Sequence, residues 1–248
     1  KMEFIISRIF RLVAKRSNFI FFQNLDDIEM FKTKKIGNSK KYKLFIGPGV
    51  DLKIFTLGKS KNKENNLIRV LCVSRLIWQK GIKEFCESAK ILLKKYKNLE
   101  FLLIGEFDYV HPDRVYKKDL KKYINEGIIK HIEWTDDVHK YYKLSDIFFL
   151  HSYREGAPRA ILEASATGLP TVGSNCIGVR ELVIDNETGF LVEFKKIEEC
   201  ITALQKLIEN KNLRKEMGIN ARKKIAEPYS LVESTNAQLQ MYRETNLI

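Results

Sequence analysis

The sequence predicts an α/β fold in which a parallel β-sheet carries helices on both faces. From residue 69 onward, short apolar runs alternate with amphipathic stretches, which is typical of parallel strands joined by crossover helices. The chain has 248 residues, 44% of them hydrophobic, so it can bury a core of this kind. Glycine and proline close several of the segments, as expected at the ends of helices and strands.

The predicted elements follow one another regularly along the chain. Strands are expected at 69–74, 100–104, 129–134, 147–151, 170–173 and 189–192. Helices are expected at 82–96, 115–126, 139–144, 160–167 and 180–184, and helices fill the chain after Glu198. Gly168 closes the helix at 160–167, and Pro228 interrupts the chain before a final helix that begins near Ser230.

The first 66 residues do not continue this alternation. They contain an amphipathic basic stretch at 4–15, a strand-like run at 19–22 and a short helix at 27–34, which is too little to fold alone. We therefore expect residues 1–45 to be the end of a preceding domain and residues 46–66 to be a connector. Residues 67–228 are then the main domain, and residues 229–248 are a terminal helix.

Positive charge is concentrated near the start of the chain. The net charge is +13, and residues 1–43 hold 11 basic and 4 acidic side chains. Such a field attracts nucleic acid, anionic lipid head groups or diphosphate substrates, and a solvated lysine-rich surface explains the same charges. No recognition-helix, RNP or aromatic-stacking signature accompanies the charge, so nucleic-acid binding is retained only as an alternative. Peripheral contact with an anionic membrane is a further prediction.

Cysteines and apolar runs indicate a reduced setting without a membrane span. The four cysteines show no paired spacing, so we expect small buried hydrophobic side chains at Cys72, Cys86, Cys176 and Cys200. No apolar run approaches the roughly 18 residues of a spanning helix. We expect a cytoplasmic protein, peripheral on the inner face of the cell membrane. The sequence lacks an Asp-x-Asp motif and metal-ligand histidine spacing, so we expect neither a metal nor a cofactor.

Functional side chains are expected just after the strands, because ligands bind beyond the carboxyl ends of the strands in open parallel sheets. Arg75 and Lys80 follow the first main strand, and two cations at that place suit a diphosphate, although surface salt bridges explain them equally well. Glu155 and Glu163 flank the start of the helix at 160–167. Carboxylates accept hydrogen bonds from sugar hydroxyls, whereas charge at a helix N-terminus is the alternative explanation.

These residues belong to a longer resemblance. The segment SYREGAPRAILEASATGLPTVGSN resembles the ExxxxxxxE signature of glycosyltransferase family 4, and Ser74-Arg75-Leu76 with Lys80-Gly81 resembles that family's diphosphate-binding element. Matching segments extend over nearly the whole chain: FFQNLDDIEMF, GPGVDLKIF, LLIGEF, GVRELVIDNETGFLV and YSLVESTNAQLQMYRE. Within the family, the chain is most similar to bacterial enzymes that extend lipid-diphosphate-linked saccharides, often with N-acetylhexosamines.

The resemblance implies a fold and a role for each matched residue. The fold is the C-terminal, donor-binding half of a GT-B glycosyltransferase, with a Rossmann-like sheet. Residues 1–45 would be a remnant of the N-terminal acceptor-side domain, to which the helix at 229–248 crosses back. Arg75 and Lys80 would bind the donor diphosphate, Glu155 would lie against the donor sugar, and Glu163 would hold the ribose hydroxyls. Four residues would line the sugar-phosphate pocket through backbone groups: Gly156, Ala157, Pro158 and Arg159.

Three positions leave alternatives open. Trp134 and Thr135 would border the nucleobase, but an indole buried against the sheet is the alternative that we favour for Trp134. His151 stands where the family usually has proline, and a structural histidine at a strand end is the expected role. Cys176-Ile177-Gly178 replaces a glycine pair that often meets the sugar, which leaves the donor sugar undetermined.

We therefore expect the protein to transfer a sugar, with retention of configuration, from a nucleotide diphosphate donor to a saccharide acceptor. We predict that the donor is UDP-linked. The acceptor is expected to be linked to a lipid diphosphate, in bacterial surface-glycan or glycoprotein-glycan synthesis. The family carries its acceptor site in the N-terminal domain, so a noncatalytic nucleotide-sugar-binding fragment or subunit is an alternative function.

Overall fold

A small two-stranded unit occupies the start of the chain. The computed structural model describes residues 2–45, 47–58 and 66–244, and Ile46 and residues 59–65 of the expected connector lie outside this description. The first elements are α1 (Met2–Arg16), β1 (Ile20–Phe22), α2 (Leu25–Thr33) and β2 (Tyr42–Leu44). Strands β1 and β2 pair in parallel. The sequence predicts the first three of these elements, but β2 is short and of mixed polarity and was not predicted.

The main domain alternates strands and helices as predicted. Its strands are β3 (Ile68–Val73), β4 (Leu99–Ile104), β5 (Lys130–Ile132), β6 (Ile147–Leu150), β7 (Thr171–Ser174) and β8 (Gly189–Val192). The helices between them are α3 (Ile82–Lys95), α4 (Lys117–Asn125), α5 (Val138–Lys143), α6 (Arg159–Ala166) and α7 (Val179–Leu182). Helices α8 (Ile197–Glu209), α9 (Lys211–Ala226) and α10 (Leu231–Glu244) complete the chain.

Strand order determines where a ligand can bind. Among the described residues, β3 to β8 form one parallel sheet in the order β5-β4-β3-β6-β7-β8. The chain therefore proceeds outward from β3 to β5, returns to the centre, and proceeds outward on the other side from β6. Strands β3 and β6 are hydrogen-bonded neighbours, with Val70 opposite Ile147. In open parallel sheets, ligands bind beyond the carboxyl ends of the strands at a switch point of this kind.

Both faces of the sheet are covered, as predicted. Alternate residues of β3 belong to different cores: Val70 and Cys72 pack with α3 and α8 on one face, and Leu71 packs with α5 and α6 on the other. This alternation follows from the two-residue period of a strand. Cys72, Cys86, Cys176 and Cys200 are all buried, which confirms their expected role as small core residues.

The terminal helix returns to the start of the chain. Ser234 of α10 donates a hydrogen bond to the carbonyl of Gly47, and the ring of Tyr242 meets Phe21 of β1 edge-on with centroids 6.0 Å apart. Lys43 forms an ion pair with Glu244 at 3.3 Å. These contacts attach α10 to the small β1–β2 unit.

Candidate active site at the carboxyl edge of the sheet

The turn after β3 is packed directly against the end of β6. A 3-10 turn, Trp78–Lys80, ends at Gly81, whose φ of +76° is in the left-handed region. A Cβ added to Gly81 would lie 2.5 Å from the carbonyl oxygen of His151, so only glycine allows this approach. The close approach brings Lys80, which precedes Gly81, to the loop that follows β6.

Lys80 and Glu155 form the central contact of the site. The Lys80 Nζ lies 2.5 Å from Glu155 Oε1, and the two side chains are only 17% and 13% exposed. The hydroxyl of Ser152 donates to the same carboxylate oxygen at 2.6 Å. Two charge-assisted donors thus hold one carboxylate oxygen in a defined position.

The β6–α6 loop, residues 151–158, is held from both sides. The Glu155 N–H donates to the carbonyl of Ile177 at 3.1 Å, and a Cβ on Gly178 would lie 2.4 Å from the carbonyl oxygen of Gly156. On the other side, a Cβ on Gly156 would lie 2.3 Å from Gln23 Oε1. Gly156 therefore permits close packing against Gln23, a contact that no sequence pattern indicates.

Helix α6 begins where this loop ends. Pro158 is its N-cap, and no side chain of the described residues caps the helix there. The carbonyl of Pro158 accepts the N–H of Ile161 at 3.0 Å. Ala157 lies next to Gly47, at which a Cβ would be 2.9 Å from that of Ala157. Helix α6 therefore begins directly after the loop that follows β6, and the unpaired amide groups and dipole of a helix N-terminus favour an anion.

Arg75 lies at the same edge but has its own acidic partner. Its guanidinium is 3.5 Å from Asp108 in the loop after β4, and its side chain is 63% exposed. Backbone N–H groups of His111 and Val110 bond to the Asp108 carboxylate and, with further help from Arg75, lower its pKa. Asp108 was not predicted from the sequence, because the loop after β4 carries no motif that marks it.

Glu163 lies one turn into α6 in a low-polarity environment. Its side chain is 13% exposed and 3.4 Å from the guanidinium of Arg159. Burial raises the pKa of Glu163, while a hydrogen bond from Tyr142 and the charge of Arg159 act in the opposite direction. Direct contact thus joins Lys80 to Glu155 and Arg159 to Glu163, whereas Arg75 reaches Asp108.

The structure corrects the expected role of Trp134. Strand β5 was expected to extend to residue 134 but ends at Ile132, where its pairing with Ile104 of β4 also ends. The Trp134 side chain has therefore left the sheet and is 61% exposed, so the expectation of an indole buried against the sheet is wrong. Thr135 accepts the N–H of Asp137 at 3.1 Å and shapes the same loop.

The expectation for His151 is confirmed. The imidazole is fully buried, and its Nε2 accepts the backbone N–H of Lys195 at 3.2 Å. Burial lowers the pKa of His151 to about 4, so the ring is neutral near pH 7. His151 therefore ties the loop after β8 to the end of β6 and has a structural role.

Residues before β2 also reach the site. Asn24 is fully buried and caps α2, and its side-chain amide donates to the carbonyl of Gly156 at 3.4 Å. Asp27 pairs with Arg154, and Asp26 pairs with Arg180 of α7 at 2.6 Å. Residues 24–27 therefore contact both the loop after β6 and helix α7. The Asn-Leu-Asp-Asp pattern is a typical helix start, but it does not indicate these distant partners.

Comparison with known proteins indicates a family for this chain. The family described as Glycosyl transferases group 1 matches residues 54–224. An Escherichia coli UDP-Gal:α-D-GlcNAc-diphosphoundecaprenol α-1,3-galactosyltransferase is 31% identical over 208 residues, 79% of this chain and 53% of that protein. A Campylobacter jejuni N,N'-diacetylbacillosaminyl-diphospho-undecaprenol α-1,3-N-acetylgalactosaminyltransferase is 28% identical over 231 residues, 89% of this chain and 59% of that protein.

A solved structure shares the fold at low sequence identity. Anabaena HepE, crystallised with UDP and glucose, superposes with a TM-score of 0.83 and 19% identity, covering 96% of this chain and 66% of that one. The chain thus spans between half and two thirds of the length of these three proteins. The expected Rossmann-like half of a GT-B fold is confirmed. From the matched residues and the shared sheet, the chain belongs to the glycosyl transferases group 1 family.

Proposed function

We propose that the protein to which this chain belongs transfers a sugar, with retention of configuration, from a UDP-linked donor to a lipid-diphosphate-linked saccharide. N-acetylhexosamines are the sugars that we favour. The observation that carries the proposal is the contact between Lys80 and Glu155 at the switch point of the sheet. The names of the relatives support it, because they specify diphospho-undecaprenol acceptors and α-1,3 products, and one names a UDP-linked donor.

In the proposed mechanism, the protein mainly stabilises charge. As the bond between sugar and diphosphate breaks, negative charge accumulates on the leaving diphosphate. Lys80, Arg75 and the amide groups at the start of α6 face this charge, and preorganised donors of this kind often supply the largest share of catalysis. When the donor binds, Arg75 leaves Asp108 and pairs with the diphosphate. The high exposure of the Arg75 side chain allows this movement. No metal or cofactor has a role in this proposal.

The remaining residues of the site would bind the rest of the donor. Glu155, oriented by Lys80 and Ser152, accepts hydrogen bonds from the sugar hydroxyls, and Glu163 accepts them from the ribose. The exposed indole of Trp134 offers a stacking surface for the base. Trp134 follows β5, an edge strand that lies two positions from β3 in the sheet. At the usual spacing of strands, β5 and β3 are about 10 Å apart. A nucleotide can span this distance.

A titration with UDP-sugars tests the donor site. The chain should bind UDP-sugars more tightly than duplex DNA, and Arg75→Ala and Glu163→Ala should each weaken donor binding. Tight DNA binding that neither substitution affects would instead support the nucleic-acid alternative. In a form that turns over, Lys80→Ala should lower kcat more than it weakens donor binding, because the leaving group gains charge in the transition state. The anomeric configuration of the product tests retention.

Donor binding without turnover is the second candidate function. The residues proposed to bind the donor all lie within the segment 54–224 that matches the family, and the chain spans 53% and 59% of the two named transferases. Incubation of the isolated chain with UDP-sugar and a lipid-linked saccharide distinguishes the two functions. Product formation at a rate above that of a Lys80→Ala variant would exclude the noncatalytic alternative.

Helix α1 supports the further proposal of peripheral contact with the inner face of the cell membrane. Six large apolar side chains among the described residues of this helix are exposed: Ile5, Ile6, Ile9, Phe10, Leu12 and Val13. Basic residues Lys15 and Arg16 end the same helix, and no helix of the described residues is long and apolar enough to span a membrane. Vesicle binding should require anionic lipid and weaken with salt, and Leu12→Ser should reduce it. Binding that ignores both lipid charge and salt would contradict the proposal.

A further inference from the structure

Tyr153 connects the two sides of the central contact. Its hydroxyl donates to Glu84 Oε1 on α3 at 3.2 Å, and its backbone N–H donates to the carbonyl of Gln79 at 2.9 Å. Gln79 immediately precedes Lys80, and Glu84 follows Lys80 by one helical turn. Tyr153 itself lies two residues before Glu155. One residue therefore ties both flanks of Lys80 to the loop that carries its carboxylate partner.

The hydrogen bond from the Tyr153 hydroxyl is unusual because its acceptor, Glu84, is buried. Glu84 is 2% exposed, and its second oxygen, Oε2, has no hydrogen-bond partner within the part of the chain that the structure describes. A buried carboxylate with one protein partner is costly, because desolvation is not offset by a full set of bonds. The Tyr153 hydroxyl is therefore the side-chain donor that bonds to Glu84, and the placement of Glu84 depends on this bond.

The Tyr153 ring is confined as well. Phe194 meets it edge-on with centroids 4.0 Å apart, and Lys195 Nζ lies 5.6 Å from the ring centroid on the loop after β8. Burial and the neighbouring Glu84 raise the pKa of Tyr153 to about 12, so its hydroxyl remains a donor near neutral pH. The ring therefore holds its hydroxyl towards Glu84.

We propose that Tyr153 is a positioning residue, whose hydrogen bond to Glu84 holds Lys80 against Glu155 and thereby prepares the pair for the donor. The second half of this inference rests on the proposed function, whereas the first half concerns the unliganded protein. Tyr153→Phe removes the hydroxyl alone. It should leave the chain folded but let Lys80 and the β6–α6 loop move apart.

Helix α3 offers a matched control. One turn beyond Glu84, Glu87 accepts a hydrogen bond from the hydroxyl of Tyr123 at 2.5 Å. Tyr123 lies near the end of α4, which leads into the start of β5, at the opposite edge of the sheet. Tyr123→Phe therefore removes the same kind of bond from the same helix without touching the site.

The first experiment needs no ligand. The unliganded chain is treated with an acetylating reagent, and the acetylation rate of Lys80 is followed by mass spectrometry. Lys80 is shielded in the parent chain, with 17% of its side chain exposed. Tyr153→Phe should raise its rate about three- to tenfold, the factor that corresponds to one hydrogen bond of ordinary net strength. Tyr123→Phe should leave the rate unchanged.

The same variants are then titrated with a UDP-sugar. Tyr153→Phe should weaken binding by about the same factor, three- to tenfold, and Tyr123→Phe should not. Glu84→Met removes the bond from its other end, so its effect on Lys80 should resemble that of Tyr153→Phe. Combining the two substitutions should add little, because both remove one interaction.

Several results would overturn the inference. Unchanged acetylation of Lys80 in Tyr153→Phe would show that the bond does not hold the lysine, and equal effects of the two tyrosine substitutions would indicate a general loss of stability. Additive effects of Glu84→Met and Tyr153→Phe would show that the two residues act separately. If the parent chain binds no UDP-sugar, the proposed function fails, and the acetylation rates still decide whether Tyr153 positions Lys80.

Discussion

Gly81→Ala is the substitution whose consequence can be worked most directly from the structure. At φ +76°, an L-residue costs about 1 kcal/mol relative to glycine. The added Cβ would also lie 2.5 Å from the carbonyl oxygen and 2.6 Å from the Cβ of His151, which lies at a buried strand end. Relieving such an overlap adds about 1–3 kcal/mol, as over-packing does. We therefore expect Gly81→Ala to lower the free energy of unfolding by about 2–4 kcal/mol.

Gly127→Ala is its control. Gly127 has a similar φ of +70°, but apart from its two chain neighbours no described residue has an atom within 4 Å of a Cβ added there. Its cost should be about 1 kcal/mol, from backbone strain alone. The difference between the two variants therefore isolates the close approach of the Lys80-Gly81 turn to the end of β6.

Urea unfolding measures both variants, and titration with a UDP-sugar measures the effect on the site. Gly81→Ala should weaken donor binding roughly tenfold, since displacing Lys80 by even a fraction of an ångström disturbs its contact with Glu155. Gly127→Ala should bind as the parent does. Equal losses of unfolding free energy in the two variants would refute the reasoning, because they would show that the turn adapts without strain.

Three further predictions concern protonation and capping. Burial raises the pKa of Glu163, so this carboxyl takes up a proton at a higher pH than an ordinary glutamate, whose pKa is about 4.3. As the pH is lowered, UDP-sugar affinity should therefore begin to fall before about pH 4.3 is reached. Glu163→Gln should remove this dependence in titrations across pH. Because burial lowers the pKa of His151 from 6.5 to about 4, its contribution to stability is present above pH 6.5 and is lost as pH falls towards 4. Urea unfolding should show a loss of roughly 3 kcal/mol over that interval, which His151→Gln should abolish. Asn24→Ala and Asn210→Ala each remove a helix N-cap and should each lower the free energy of unfolding by about 1 kcal/mol. Only Asn24→Ala should also weaken donor binding, because the Asn24 amide bonds the carbonyl of Gly156; equal affinity of the two variants would contradict this.

Much of the fold could be predicted because its signals are local. Apolar periodicity located the strands β3 to β8 and the helices between them, since the two-residue and 3.6-residue periods are visible within a short segment. Errors occurred where local pattern and tertiary pairing differ. Strand β5 is shorter than expected because it is an edge strand paired on one side with β4, and β2 is formed by pairing with β1 rather than by its own composition.

Part of the site was also visible in the sequence. Cations and carboxylates directly after strands predicted a diphosphate-sugar site at the carboxyl edge, and Lys80 and Glu155 do meet there. The partner of Arg75 was not visible, because the sequence alone does not show that Asp108 in the loop after β4 reaches it. The functional roles of Arg75, Lys80, Glu155 and Glu163 remain predictions for the experiments above.

The sequence by itself determined the parallel α/β architecture, the family and the edge of the sheet at which the site lies, because each depends on residue types at short spacing. Only the tertiary structure decided which side chains face one another. Lys80 and Glu155 are 75 residues apart, and Tyr153 and Glu84 are 69 apart. Such pairs form because β3 and β6 are neighbours in the folded sheet, and adjacency between strands distant in the chain leaves no periodic trace in the sequence.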